Sequence, residues 1–500
     1  MKVLLFDPPY ERLMGIKTTP VYPIGLAYLT SYLNKAGHEA QYFNLDFDDS
    51  LPYSNLYSRV TNIKNYSQYK FEVRNDSNHY VWGEVRDILR DHSPQIVGIS
   101  CITLKMQSAL KIAKSIKEFN SNIIVILGGH HPQLFASEIY NNVFDIDIII
   151  KNEGEISLLN CVNAIQNNKG TLAEKLKDVG GIFFRDSSNN VIETDSLSLI
   201  SNLDDLPFPD SAVYIKNKTL ETLPLIALMA SRGCPYNCNY CATHNIWQNK
   251  IRKRSVGNVI DEIKMRIEKQ NDRYFYFFDD CFTLNKNWTI EFCDRVIKEN
   301  LQINWSCISN VNLVDETLFK KMIKAGCTKI NLAVESGSER ILKASNKNIE
   351  LDYIRKVFKY TKKYNILTTA YFMIGFPTET IEDIRKTQAM IKELSPNWVY
   401  VNVLIPLPPT QYYKWAVDNR LIDQRLAWSG DIYEHLQTNY TGTINNEQFD
   451  NLVDETFKLS FQINKKISNL WKRVPLQHYL RNPRKMLSDV GKFISWRKNK

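Results

Sequence analysis

Five hundred residues, 44% hydrophobic and 23% charged, can bury more than one core, which excludes a disordered chain and a small disulfide-stapled module. No apolar run is long enough to span a membrane, the N-terminus opens on an apolar strand instead of a signal peptide, and nine cysteines without framework spacing suit a reducing cytoplasm. The net charge of +9 is lopsided: residues 465–500 hold eleven Lys and Arg against one acid, Asp489, leaving the other 464 residues at −1.

Residues 1–6 read as a buried strand that ends in the loop Asp7-Pro8-Pro9. An amphipathic helix opens at Pro23-Ile24-Gly25 and closes near Gly37, a C-cap-like glycine. The polar, tyrosine-rich stretch 50–80 is an insertion without a readable role. Strand-like runs at 96–100 and 123–127 flank a helix pattern over 106–119. This order predicts an open, doubly wound α/β unit over 1–165, of flavodoxin or Rossmann type, with its ligand beyond the carboxyl ends of the strands. Two of those ends, Ser100-Cys101-Ile102-Thr103 and Gly128-Gly129-His130-His131-Pro132, offer hydroxyls and bare backbone to a nucleotide-like tail. Residues 147–151 then lead into Glu153-Gly154-Glu155. A flavodoxin-like domain that binds no ligand, or binds a protein, has the same pattern. Residues 166–215 read as a linker with a small hairpin strand at 180–185 and the Pro-rich run 204–210.

The segment Arg232-Gly233-Cys234-Pro235-Tyr236-Asn237-Cys238-Asn239-Tyr240-Cys241 spaces its cysteines C-x3-C-x2-C. Three thiolates are one short of closing a cubane cluster, so one iron would stay open to a small molecule. Two other readings are three buried cysteines and a zinc knuckle completed by His244. Cys101, Cys161, Cys281, Cys293, Cys307 and Cys327 sit among apolar neighbours and read as core. After the loop come Phe277-Phe278-Asp279-Asp280, Leu332-Ala333-Val334-Glu335-Ser336-Gly337 and Met373-Ile374-Gly375-Phe376-Pro377. Each ends an apolar run and precedes a helix-like stretch, the rhythm of a partial (β/α)6 barrel over 216–425.

With the cysteine loop ahead of them, these motifs resemble the radical S-adenosylmethionine (SAM) enzymes, and the N-terminal unit resembles the cobalamin-binding domain fused to one large subclass of them. The resemblance implies a 4Fe–4S cluster on Cys234, Cys238 and Cys241, with Tyr240 beside the adenine of SAM. It implies Asp279 or Asp280 at the methionine amine, Glu335 and Ser336 at the ribose or carboxylate, and Gly375 at the same site. Cobalamin would lie against Pro8, Pro9, Ser100, Thr103, Gly128, Gly129, His131, Glu153 and Gly154. The implied reaction is removal of hydrogen from an unactivated carbon of a small, lipid-like or secondary-metabolite substrate, then methyl transfer from cobalamin, with electrons from a ferredoxin- or flavodoxin-type donor. Ring closure or rearrangement without methyl transfer, and a sensor without turnover, are the alternatives. Two departures stand out: no D-x-H-x-x-G follows the first strand to supply a histidine to cobalt, and Asn310 stands where related chains place arginine.

Residues 426–500 read as a helical region ending in the basic tail. Trp471, Tyr479, Phe493 and Trp496 are interleaved with its charges, while Met486, Leu487, Val490, Phe493 and Ile494 recur at helical spacing. A basic helix with an apolar stripe suits the inner face of a membrane, so peripheral attachment is the expectation. A solvated helix packed on the barrel has the same pattern; RNA suits such a patch less well.

Overall fold

The computed structural model describes all residues except 18–22, 49, 52–58, 76–77, 210–211, 216–217, 221–225, 271–272 and 467–500. The basic tail therefore lies outside the described residues beyond Lys466.

Nine strands form the first sheet: β1 (Lys2–Asp7), β2 (Glu39–Asn44), β3 (Ile96–Ser100), β4 (Ile124–Gly128), β5 (Ile148–Ile150), β6 (Ile182–Arg185), β7 (Val191–Glu193), β8 (Val213–Ile215) and β9 (Lys218–Leu220). Their order is β7-β6-β5-β4-β3-β1-β2-β8-β9. The central run β5-β4-β3-β1-β2 is parallel, the flavodoxin order, so the switch point falls between β1 and β3. Val3, Leu4, Leu5 and Phe6 are buried in succession, as a strand covered by helices on both faces requires. The helices are α1 (Ile24–Lys35), α2 (Arg59–Arg74), α3 (Tyr80–His92), α4 (Met106–Phe119), α5 (Ala136–Asn142) and α6 (Gly154–Asn167). The span 166–215 carries β6, β7 and β8 into this sheet, and β6 pairs antiparallel with β5. It thus extends the first domain's sheet on both sides, with β9 following β8 at the far edge.

The insertion contains α2, and its tyrosines explain its composition. Tyr66 and Tyr69 are fully buried. The Tyr69 hydroxyl accepts from Ser108 N–H of α4 (3.1 Å), and Tyr66 accepts from Ile432 N–H (3.1 Å). Asp431 accepts from Lys70 (2.8 Å) and Arg74 (2.7 Å). Helix α2 therefore clamps the segment around 424–437, which returns from the barrel, onto the first domain.

Six parallel strands form the second sheet, in the order β10 (Ile226–Leu228), β13 (Tyr274–Phe277), β14 (Asn304–Asn310), β15 (Cys327–Glu335), β16 (Leu367–Ile374) and β17 (Trp398–Val403). Between the first two of these, β11 (Ser231–Arg232) and β12 (Arg252–Lys253) pair as a short antiparallel ribbon. Phe275, Phe277, Trp305, Cys307, Ile330, Leu332, Phe372 and Val401 point outward into one core with the surrounding helices. The intervening residues line the inner face, as the two-residue period of a strand dictates. Among the described residues no helix is long and apolar enough to cross a membrane.

Candidate active site between two domains

The cysteine loop follows β10 and the short β11. Gly233 has φ +105, and a Cβ there would stand 2.0 Å from the Lys250 carbonyl oxygen, so only glycine can enter the loop this way. Neighbouring segments pin the rest. Asn239 donates its N–H to Ser345 O (3.1 Å) and its side-chain amide to Ala344 O (2.9 Å), Asn346 donates to Asn237 O (2.7 Å), and Tyr412 N–H donates to Asn239 O (3.0 Å). Cys238 is buried, while Cys234 and Cys241 are half-buried. Burial pushes the Cys234 thiol up to about 12 and the Cys238 thiol up as well, the latter opposed by Lys347. The free thiolates are thus disfavoured until a metal supplies positive charge.

Among the described residues no three His, Cys, Asp or Glu side chains close on a point as one metal ion needs. A cubane asks for a different spread, because each thiolate takes its own iron. The donor set, three sulfurs on one pinned and partly open loop, fits such a cluster. The Tyr240 hydroxyl is buried facing Glu335 and Cys238, and burial beside these two groups pushes its pKa up.

The two acids after β13 brace this loop. Asp279 is 1% exposed and accepts from Ala230 N–H (3.0 Å) and the Ser231 hydroxyl; burial raises its pKa to about 6. Its carboxylate is engaged inside the protein, so of the two acids expected at the methionine amine Asp280 is the more open. Asp280 accepts from Gly233 N–H (3.1 Å) and Thr243 Oγ1 (3.3 Å) at the loop entrance and stays exposed. Glu335 ends β15 on a bulge at φ +69, with Lys347 Nζ 3.3 Å from its Oε1. Lys347 was missed at the sequence level. Ser336 turns the other way: fully buried, it bonds Thr387 Oγ1 (3.2 Å) and accepts from Ser338 N–H (3.1 Å). The adjoining Gly337 explains this, because a Cβ there would lie 2.4 Å from the Lys386 carbonyl; the turn is pressed onto the helix Ile381–Leu394. Asn310 uses its Oδ1 to accept Asn312 N–H (3.1 Å).

A cavity of about 330 Å³ opens at the carboxyl ends of β1, β3 and β4, between the sheet and helices α1 and α6. Ser100, Gly128, Gly129, Glu153 and Gly154 line it. At Gly129 (φ +112) a Cβ would stand 2.2 Å from the Cys101 carbonyl oxygen, and at Gly98 it would stand 2.6 Å from Leu5 Cδ2. Bare backbone and apolar walls such as Ile24, Leu26 and Ile126 fit the heterocyclic tail of cobalamin at a topological switch point. Met229, Arg232, Ile246 and Trp247 of the second domain complete the lining.

His131 is a correction. It is 1% exposed, and its nitrogens meet Thr103 Oγ1 (3.1 Å) and Trp428 O (3.0 Å), so it ties the β4 loop to the returning segment; burial lowers its pKa to about 4. Thr103 is spent on the same bond. The histidine that faces the cavity is its neighbour His130, set edge-on to Trp247 at 6.1 Å. Pro8 and Pro9 are buried in the loop after β1 and fall outside the cavity lining. Glu153 accepts from Arg232 (2.5 Å), Arg252 (2.6 Å) and Ile200 N–H (2.7 Å), and Glu155 accepts from Arg232 (2.6 Å). Arg232 immediately precedes Gly233, so one guanidinium joins the cavity wall to the cysteine loop.

Comparison with known proteins agrees with both halves. Residues 228–391 match the model of the radical SAM superfamily, and residues 18–162 match that of the B12 binding domain. The chain is 27% identical to an uncharacterized methyltransferase of Pyrococcus horikoshii over 98% of its own length and 95% of the relative's. It is 26% identical to the anaerobic magnesium-protoporphyrin IX monomethyl ester cyclase of Rubrivivax gelatinosus, over 82% of this chain and 68% of that one. The fold matches the cobalamin-dependent SAM radical enzyme OxsB with a TM-score of 0.64 and 15% identity, covering 96% of this chain and 75% of OxsB. It also matches the radical SAM methyltransferase TsrM of Kitasatospora setae with a TM-score of 0.63 and 16% identity, covering 84% and 78%.

An α/β domain with a ligand cavity at its switch point, joined to a six-stranded barrel headed by three cysteines, defines an enzyme with a cofactor site in each domain. The chain belongs to the radical SAM enzymes that carry a B12-binding domain. Its cofactors are a 4Fe–4S cluster, SAM and cobalamin.

Proposed function

We propose that this enzyme methylates an unactivated carbon of a small molecule. The observation that carries the reading is the physical link through Arg232 between the three-cysteine loop and the cavity of the first domain, which supports both chemistries acting on one substrate. When bound, cluster and SAM supply a hydrogen-abstracting radical and cobalamin supplies a methyl group. Cys234, Cys238 and Cys241 hold the cluster. Tyr240, Asp280, Glu335 and Gly375 flank SAM, while Ser100, Gly128, Gly129 and Gly154 cradle cobalamin. The barrel wall keeps water from the reacting carbon. Similarity to a named methyltransferase over nearly the whole chain supports methyl transfer.

Similarity to a cyclase favours ring closure as a second reading. Product mass separates the two, since only methylation adds a methylene unit. The test is anaerobic reconstitution with iron, sulfide and cobalamin, a low-potential ferredoxin or flavodoxin as donor, and SAM carrying a labelled methyl group. Release of 5′-deoxyadenosine and label in product are expected. Cys→Ala at 234, 238 or 241 should abolish both, together with the cluster's visible absorption. The basic tail adds a location, an anionic membrane surface. Co-sedimentation with anionic vesicles should fall on truncation at residue 464, and unchanged co-sedimentation would refute it.

A further inference from the structure

The inner face of the barrel has a distinctive chemistry. Register places Tyr276, Asn331, Thr369, Tyr371, Trp398 and Tyr400 on that face, opposite the residues packed on helices. Tyr371 and Tyr400 stack at 5.4 Å with planes 10° apart, and Phe278, just beyond β13, stands edge-on to Tyr276 at 4.5 Å. Burial raises the phenol pKa of Tyr276, with Tyr371 and Tyr400 adding to it, and that of Tyr371, with Tyr400 adding to it.

Two of these aromatics are left uncovered: Tyr400 is 47% exposed and Phe278 42%. Exposed rings of this size, at the open edge of a barrel and beyond its strand ends, are surfaces for a partner rather than core. Between them lies an unsatisfied polar pair. Asn331 is 2% exposed and donates Nδ2–H to Tyr276 Oη (3.3 Å), but its Oδ1 has no partner among the described residues. Thr369, its register partner on β16, is fully buried with Oγ1 equally unpartnered. Buried polar atoms left bare cost roughly 1–3 kcal/mol each, so two side by side point to a ligand that satisfies them.

Charge is nearly absent from this face. Lys329 lies in register with Ser306 and Leu367 near the amino ends of the strands, and Glu335, at the carboxyl end of β15, is already paired with Lys347 at 3.3 Å. A phosphate or carboxylate at the level of Asn331 would lose its water for no counter-charge. The upper end of the face meets the reactive site, because Met373 and Tyr240 pack on the same cluster as Phe376 and Leu404.

We propose that this face holds the acceptor substrate and selects a flat, uncharged heteroaromatic ring that carries an N–H or O–H donor for Asn331 and Thr369. The proposal rests on the methylation reading for its reaction, but its test is independent of turnover. Holoprotein reconstituted with cluster and cobalamin, without reductant, is titrated by calorimetry with 2-quinolone, N-methyl-2-quinolone, nonanamide and quinoline-2-carboxylate. 2-Quinolone should bind best. Loss of one stacking ring in Tyr400→Ala, an exposed position safe for folding, should weaken it about tenfold. N-methylation should cost the wild type about tenfold and the Asn331→Leu variant nothing. Tighter binding of nonanamide or quinoline-2-carboxylate, or wild-type affinity in both variants, would overturn the proposal. Binding without methyl transfer would leave it standing and count against the methylation reading instead.

Discussion

Glu335 keeps a backbone angle, φ +69, that costs a residue with a side chain about 1–2 kcal/mol. Its counter-charge Lys347 is itself buried, 8% exposed. Strain of this kind persists where the surroundings impose it, and here it aims a carboxylate at the cysteine loop. The two terms predict a sign. Glu335→Gly relieves the angle but strands a buried ammonium, and the second effect is larger. The variant should lose about 1–3 kcal/mol in denaturant unfolding, and Glu335→Gly with Lys347→Met should recover most of it. A single variant as stable as wild type would mean that water already reaches Lys347.

At the scale of elements, the turn after β16 is held by an acid that is fully buried. Glu379 accepts N–H bonds from Gly375 (2.5 Å) and Phe376 (3.1 Å), and burial raises its pKa to about 8. The native state therefore holds this proton more firmly than the unfolded chain, whose glutamate titrates near 4.5. Stability should fall as pH rises from about 4.5 to about 8 and then level off, by a few kcal/mol. Glu379→Gln keeps an acceptor for both N–H groups without a titrating proton. Melting of cluster-free protein at pH 5, 6, 7 and 8 should show a slope in wild type and a flatter one in the variant; equal slopes would place the titration elsewhere.

Elements of this kind were largely legible in the sequence, because Gly, Pro and Asn punctuate each apolar run. The helix expected at 106–119 spans Met106–Phe119, and the strand expected at 123–127 lies one residue later, at Ile124–Gly128. Side-chain direction was not legible. His130 and His131 are adjacent, yet Trp428, nearly three hundred residues away, decides which one faces the cavity. Ser336 turns inward because Gly337 docks on a helix fifty residues on. Tyr66 and Tyr69 read as a polar insertion until α4 and the 430s cover them. Local pattern carries periodicity, whereas partners distant in sequence set orientation.

At the scale of the whole molecule, the two domains meet through ion pairs that are themselves buried. Arg232 is 6% exposed, and its side chain bonds Glu153 and Glu155 on the first turn of α6, whose glycine and glutamates line the cobalamin cavity. Gly233 and Cys234 follow it in the chain. Arg232→Met would leave Glu155 buried without that partner, a cost of about 3–5 kcal/mol, whereas Glu153 keeps Arg252. Arg232→Met with Glu155→Gln should restore most of the stability. If the network only glues the domains together, that double variant should also hold cobalamin and cluster as wild type does. If it couples the two sites, losing the guanidinium loosens the cavity wall and the loop together, and the effect is reciprocal because binding free energies are linked. We expect the second outcome: the double variant should retain less cobalamin by visible absorption when the cluster is present, and fewer clusters by electron paramagnetic resonance when cobalamin is present. Wild-type occupancy of both in a stably folded double variant would reduce Arg232 to a structural bridge.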